Sequence, residues 1–290
     1  MAAPTPATVR HRLLVQKLRR LREEAGFTQA EVAQAMDWSE SKQIKMERGN
    51  IPVRIPDVRA LLVHYGLVGP EHRQETDAVL QLARDARRKG WWHTYGDAVP
   101  EWFEPFLGLE TEATSIRTYQ PELVPGLLQT PDYYRSFMRT SPTTSTTEEI
   151  ERKVAVREQR QERLETTGAP TYWTILNEAA LLRPPPGENA ILKTQLAYIA
   201  ERSKLPTVTV QVLPFAAGLH PAMDGPFEIL GFPESLDLDI VYIESQSGAL
   251  YLEEREQVGR YNGIFDHLRA KALDPEQSRA LIVQKIKEIS

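Results

Sequence analysis

Cysteine is absent from all 290 residues, which excludes disulfides, thiolate nucleophiles and Cys-ligated zinc and fits a reducing cytoplasm. Histidine is scarce, six scattered residues in all, so neither a metal centre nor a cofactor is expected. No stretch approaches the roughly 18 consecutive apolar residues of a membrane-spanning helix. The opening MAAPTPATVRHR has no apolar segment of the signal-peptide kind, and with Pro4 and Pro6 it reads as a loose arm over residues 1–9. H-E-x-x-H, G-x-S-x-G, the P-loop and the Rossmann fingerprint are all missing, and no Ser-Lys layout for self-cleavage stands out. An enzyme is therefore not expected.

What is present suffices for one large or two ordinary domains with a sizeable core, since 41% of residues are apolar. The net charge of −5 conceals an asymmetry: residues 1–70 carry 11 Lys+Arg against 7 Asp+Glu, and the remaining 220 carry 24 against 33. A modestly basic module joined to an acidic body suits a DNA-binding head whose body avoids DNA. The small basic excess implies weak affinity for one head, and hence a dimer or a second contact surface.

The most informative stretch is Thr28 to Gly49, TQAEVAQAMDWSESKQIKMERG. Thr28 and Glu31 form a T-x-x-E capping box that starts a helix at Gln29. Val32, Ala33 and Met36 give it a narrow apolar face, and the small Ala33 lets a second helix approach. Asp37 stands where the chain must reverse, and Asp tolerates the left-handed conformation better than most residues. Ser39 is an N-cap for the next helix, Met46 its inward residue and Gly49 its C′ residue. Trp38 is placed to fill the gap between the two.

With TQ-E-VA before the turn and ME-RG after it, residues 10 to 67 resemble the XRE, lambda-repressor and Cro-like class of helix-turn-helix regulators. The resemblance implies that the second helix enters the major groove, with Glu40, Ser41, Ile44 and Lys45 facing base edges and Gln29 and Arg48 touching phosphate. Ser39 and Lys42 belong to the same DNA-contacting set, and Arg54 in the following NIPVRIP loop is a candidate phosphate contact. One position departs from the pattern: Gln43 stands where the family places a buried Leu or Ile, and Ile44 where it places a polar residue. Either the helix is slightly rotated, or Gln43 is partly exposed and Ile44 meets a thymine methyl.

Around that motif, Arg10 to Ala25 and Asp57 to Tyr65 read as helices, and Glu71 to Lys89 as another. The chain thus divides into an arm (1–9), a helix-turn-helix domain (10–70), a connector helix (71–90) that would also complete a five-helix head, and a body (91–290). Six aromatic residues between Trp91 and Phe106 read as core beneath the second domain or as an interface. The body reads as α+β with three to five strands, among them Thr171 to Leu176 and Thr207 to Leu213. A helix capped by Thr147 carries Arg152, Arg157, Arg160 and Arg163 among glutamates, the pattern of a salt-bridged surface. The fold class is mainly α: a lambda-repressor-like head and an α+β second domain.

The phrases YQPELVPGLLQTPDYY, REQRQ, LNEAALLR, VTVQVLPFAAGLHP, GPFEILGF and VYIE resemble an uncharacterised domain that follows XRE heads in actinobacterial regulators, some of them antitoxin-like. That resemblance implies a cytoplasmic, dimeric regulator that binds double-stranded DNA, with a second domain that senses a ligand or a small protein encoded by an adjacent gene. Candidate partner or ligand residues are Trp92, Pro125, Gln129, Glu178, His220 and Asp224; structural corners and caps are the competing reading for each. The alternative function is an interaction scaffold in which partner binding, not DNA binding, is the main activity.

Overall fold

The computed structural model describes residues 9–87, 90–141, 146–185, 187–233, 239–245 and 248–289; most of the expected N-terminal arm lies outside them. Two compact units are present, one running through Thr94 and including Pro100–Leu109, the other comprising Tyr95–Val99 and the chain from Glu110 onward. The division therefore falls inside the aromatic stretch rather than at 90/91.

The head of the first unit is built from α1 (Val9–Glu24), α2 (Gln29–Ala35), α3 (Glu40–Glu47), α4 (Ile55–His64) and α5 (Arg73–Asp85), and a further helix, α6 (Glu104–Glu112), runs across the division between the units. Leu14, Leu18 and Leu21 of α1, Val32 of α2, Met46 of α3 and Val58, Leu61 and Leu62 of α4 form one buried core. α4 begins two residues before its expected start, because Pro56 sits in the first turn, where a missing N–H leaves no intrahelical bond unmade. The segment expected as a connector supplies Val79, Leu80 and Ala83 to this same core, and Lys17 of α1 pairs with Glu75 of α5. It is the fifth helix of the head. Of its basic end, Arg88 and Lys89 lie outside the described residues.

Four helix ends in the head close on themselves in the same way. Gly49 N–H donates to Met46 O and Asn50 N–H to Lys45 O; the same paired bonds recur at Gly26/Phe27 and Gly66/Leu67. This is the Schellman closure, which needs a left-handed residue at its first position. The fourth copy joins α2 to α3, with Asp37 N–H on Gln34 O and Trp38 N–H on Ala33 O. There the left-handed residue is Asp37 at φ 55°, the sole non-glycine with positive φ among the described residues. Asp37→Gly is expected to raise stability by about 0.5–1 kcal/mol by removing that steric cost. A denaturation midpoint unchanged or lowered would show that the Asp37 side chain contributes more than its backbone costs.

The second unit is built on a six-stranded mixed sheet, more strands than the three to five expected. The strands are β1 (Ser115–Gln120), β2 (Thr171–Asn177), β3 (Val208–Leu213), β4 (Phe227–Gly231), β5 (Asp239–Ser245) and β6 (Gly248–Leu252). Their order is β3-β2-β1-β4-β5-β6; β1, β2 and β3 are parallel, and β4 to β6 continue antiparallel. One face, with Tyr119, Ile175, Phe227, Ile229 and Val241, packs on Val258, Phe265 and Leu268 of α10 (Arg255–Lys271). The crossover from β1 to β2 carries α7 (Pro131–Arg139) and α8 (Thr147–Glu162). Thr146, not Thr147, caps α8, in a complete capping box with Glu149. The crossover from β2 to β3 carries α9 (Asn189–Arg202), and α11 (Pro275–Glu288) packs on α9 and against β3.

The arginines of α8 overturn the surface reading. Arg160 is buried and donates through Nε and Nη2 to Glu110 at 2.7 and 2.8 Å, and Arg163 donates to the backbone oxygens of Glu110 and Ala113. Arg157 lies over the Tyr134 ring at 3.8 Å. The physical reason is periodicity: Arg157 and Arg160 share a helical stripe with the buried Val154 and Leu164, so they turn inward with it. Arg152 alone keeps the surface role, beside Asp97 at 3.3 Å.

Candidate nucleic-acid interface

The orientation of α3 is set from inside by Glu47, whose side chain is 4% exposed. Arg22 of α1 donates to both its oxygens, at 2.7 and 3.0 Å. Gln29 of α2 donates to Oε2 at 2.7 Å and Gln43 of α3 to Oε1 at 2.6 Å. One carboxylate thereby gathers three helices. Burial pushes the Glu47 carboxyl up, but these hydrogen bonds and the Arg22 charge outweigh it and hold it below the ordinary value. Arg22 is raised by the same contact, and its Nη1 also donates to Phe27 O at 2.7 Å.

This network settles the question raised by Gln43. The side chain is fully buried, not partly exposed, because Glu47 accepts its amide hydrogen from one turn away. Where the family pattern has an aliphatic residue, this head uses a buried polar one, and Ile44 is left partly exposed on the outer side.

With Gln43, Met46 and Glu47 turned inward, the outward stripe at i, i+3, i+4 and i+7 is Ser41, Ile44, Lys45 and Arg48. Ser41, Lys45 and Arg48 are exposed, as are Glu40 beside the stripe and Arg54 at the start of α4. Lys45 and Arg48 give the C-terminal half of the stripe two cations. Three other expected contacts are engaged within the head. The Ser39 hydroxyl accepts from Lys42 N–H as N-cap; Lys42 Nζ lies 3.7 Å from the Trp38 ring centroid and 3.5 Å from Asp57 Oδ2; the Gln29 amide nitrogen is held by Glu47. The sequence carried one signal for the Glu47 hub, an Arg and a Glu on apolar helix faces, but not their pairing across 25 positions.

Five of the six candidate residues lie in the second unit, spread over separate loops. Pro125 and Gln129 are buried in one loop, where Gln129 donates to Val124 O at 2.6 Å. Gln161 and Gln195 stitch that loop further, donating to the backbone oxygens of Gly126, Gln129 and Leu128. These bonds hold the loop against α8 and α9. Glu178 accepts from Phe215 N–H at 3.0 Å and so fixes the start of the 215–225 loop. His220 Nε2 lies 3.3 Å from the Tyr119 hydroxyl, and burial lowers its pKa, helped by the Lys271 and His267 charges. Asp224 is exposed. Trp92, in the first unit, is buried with its ring edge-on to Trp91; it packs over Gly90, where a Cβ would meet the indole at 2.2 Å.

Among the described residues no group of three or more His, Cys, Asp or Glu is placed to hold a metal ion, and no helix is long and apolar enough to cross a membrane. Comparison with curated proteins and with solved structures finds no match. Two families do match. Residues 13–75 match a helix-turn-helix domain, in agreement with the geometry of α2 and α3. Residues 103–284, more than half the chain, match the domain of unknown function DUF5753. The chain therefore belongs to the DUF5753 family and carries at its head the helix-turn-helix of a DNA-binding regulator.

Proposed function

We propose that this protein is a sequence-specific transcription regulator of the XRE type that binds double-stranded DNA as a homodimer, and that its second unit receives a ligand or small-protein signal and catalyses no reaction. The observation that carries the reading is the outward stripe Ser41, Ile44, Lys45 and Arg48, held at the surface by the inward Glu47 network. Ile44 offers an apolar contact of the size a thymine methyl accepts, and Lys45 a donor for guanine acceptors. Arg48, at the C-cap of α3, and Arg54 supply charge for the backbone on either side. A head with only four excess cations loses affinity steeply with salt, and pairing two heads on adjacent half-sites compensates for that.

Footprinting of the full chain on its own promoter region tests this. A protected pseudo-palindrome is expected. Lys45→Ala should change base preference at one position in each half-site, by about 1–3 kcal/mol. Arg48→Ala should weaken binding on all sequences alike and reduce the salt slope by about one per head. Absence of protection at low salt would reject the proposal, and a monomeric mass with full protection would reject the dimer alone.

A further inference from the structure

The two edges of the sheet differ. β3, at one end of the strand order, is covered on its outer side by the first turn of α11 and the residues before it. Val212 N–H donates to the Ser278 hydroxyl at 2.9 Å, and Val212 O accepts from Leu273 N–H at 2.9 Å. Gln211 reaches the same segment, donating to Leu273 O at 2.8 Å. β6 stands at the other end of the order, and among the described residues no strand lies beyond it.

An open edge is a template for another strand, and proteins commonly blunt it with charge, proline or a bulge. β6 has none of these. Its sequence is Gly-Ala-Leu-Tyr-Leu, without a charge or a proline, and none of its residues is buried. It pairs with β5 at five successive positions, Gly248 to Leu252, so no bulge twists it away. Leu250 is 61% exposed, although Ile243, the residue opposite it, packs against the core beneath α10. The apolar face of the sheet thus continues past the point where the chain covers it.

We propose that β6 pairs with β6 of a second copy of this chain, antiparallel about Leu250, joining the two sheets into one. Two observations choose this occupant. With β3 covered, β6 can meet only β6 when one sheet extends another between copies. A like-to-like contact is isologous and closes at two chains, whereas an open β3 would have allowed head-to-tail growth. The second observation is charge. Glu253 and Glu254 follow the strand directly. Antiparallel pairing sends the two acidic pairs to opposite ends of the seam; parallel pairing would set them side by side. In this register Leu250 faces its own copy, and Tyr251 of each chain stands opposite the small Ala249 of the other. Main-chain hydrogen bonds supply the affinity, as in other strand additions. A five-residue seam is below the usual size of a stable interface, which suits a dimer that two heads on one operator complete. The inference rests on the homodimer proposed above and supplies the surface that joins it.

The chain has no cysteine, so Leu250→Cys introduces a single thiol. Directly opposed residues of an antiparallel pair lie about 4.5–5.5 Å apart at Cα, within the reach of a disulfide. Mild oxidation of the full-length variant without DNA is expected to give a covalent dimer and nothing larger. Val283→Cys, exposed on α11, should form no such product under the same conditions. Sedimentation equilibrium of the wild type should show monomers and dimers exchanging with concentration. Leu250→Lys, which sets two like charges across the seam, should weaken that association at least about tenfold, with the far-ultraviolet spectrum unchanged. The cross-link does not depend on how the lysine variant folds. Oxidation of Leu250→Cys no faster than that of Val283→Cys overturns the seam. So does association that Leu250→Lys leaves unchanged, or that grows past two chains. A dimer mass accompanying any of these results keeps the homodimer and moves its contact elsewhere. A single-chain mass at every concentration, on and off DNA, rejects the homodimer together with the seam.

Discussion

Glu47→Ala is expected to lower the stability of the head by about 3–5 kcal/mol, the range for removing one partner of a buried ion pair. The substitution strips the acceptor from Arg22, whose side chain is 10% exposed, and from the amides of Gln29 and Gln43. A cation and two donors would be left in the interior without partners. Amide exchange should accelerate first in α1, α2 and α3, the helices the carboxylate joins, and DNA protection should fail with them. A loss below about 1 kcal/mol in denaturant would mean that water replaces the carboxylate. The same group gives an acid signature. Because its folded pKa lies below 4.5, its contribution is complete above the unfolded value and disappears as pH falls through the folded one. The stability difference between wild type and Glu47→Ala should therefore narrow below pH 4.5, the opposite of what a raised carboxyl would produce.

The second large effect is expected at Arg160→Met. Arg160 and Glu110 have side chains 6% and 5% exposed, and loss of the guanidinium strands the Glu110 carboxylate beside Glu228. A destabilisation of about 3–5 kcal/mol follows for the single variant. Arg160→Met combined with Glu110→Leu should recover most of that loss, because an apolar pair of similar volume carries no desolvation penalty. If the double variant is as unstable as the single one, the pair is needed for its geometry and not for its charge balance. A double-mutant cycle read by chemical denaturation distinguishes these outcomes.

These two pairs also mark where sequence reasoning succeeds and where it stops. The turn between α2 and α3 was legible almost residue by residue, since the Thr28 box, the reversal at Asp37, the Ser39 cap and the Gly49 closure are interactions within four or five positions. The outward stripe was largely legible for the same reason. The burial of Gln43 was not, because it depends on an acceptor that Arg22 holds in place from another helix. The inward arginines of α8 were missed because a helix of alternating Arg and Glu favours a surface reading, and the partner of Arg160 lies 50 positions away. The apolar stripe from Val154 to Leu164 was the available clue. The sheet holds six strands where three to five were expected, and what joins them into one sheet is pairing between segments far apart in sequence, such as β1 with β2 and β4.

The packing of α5 has a practical consequence for dissecting this protein. A fragment cut after residue 70, where the motif itself ends, would remove Val79, Leu80 and Ala83 and bare the apolar sides of α1 and α4 that meet them. Such a piece should be sticky and short-lived, and a negative DNA-binding result from it would be misleading. A minimal reader must retain the chain through the end of α5 at Asp85.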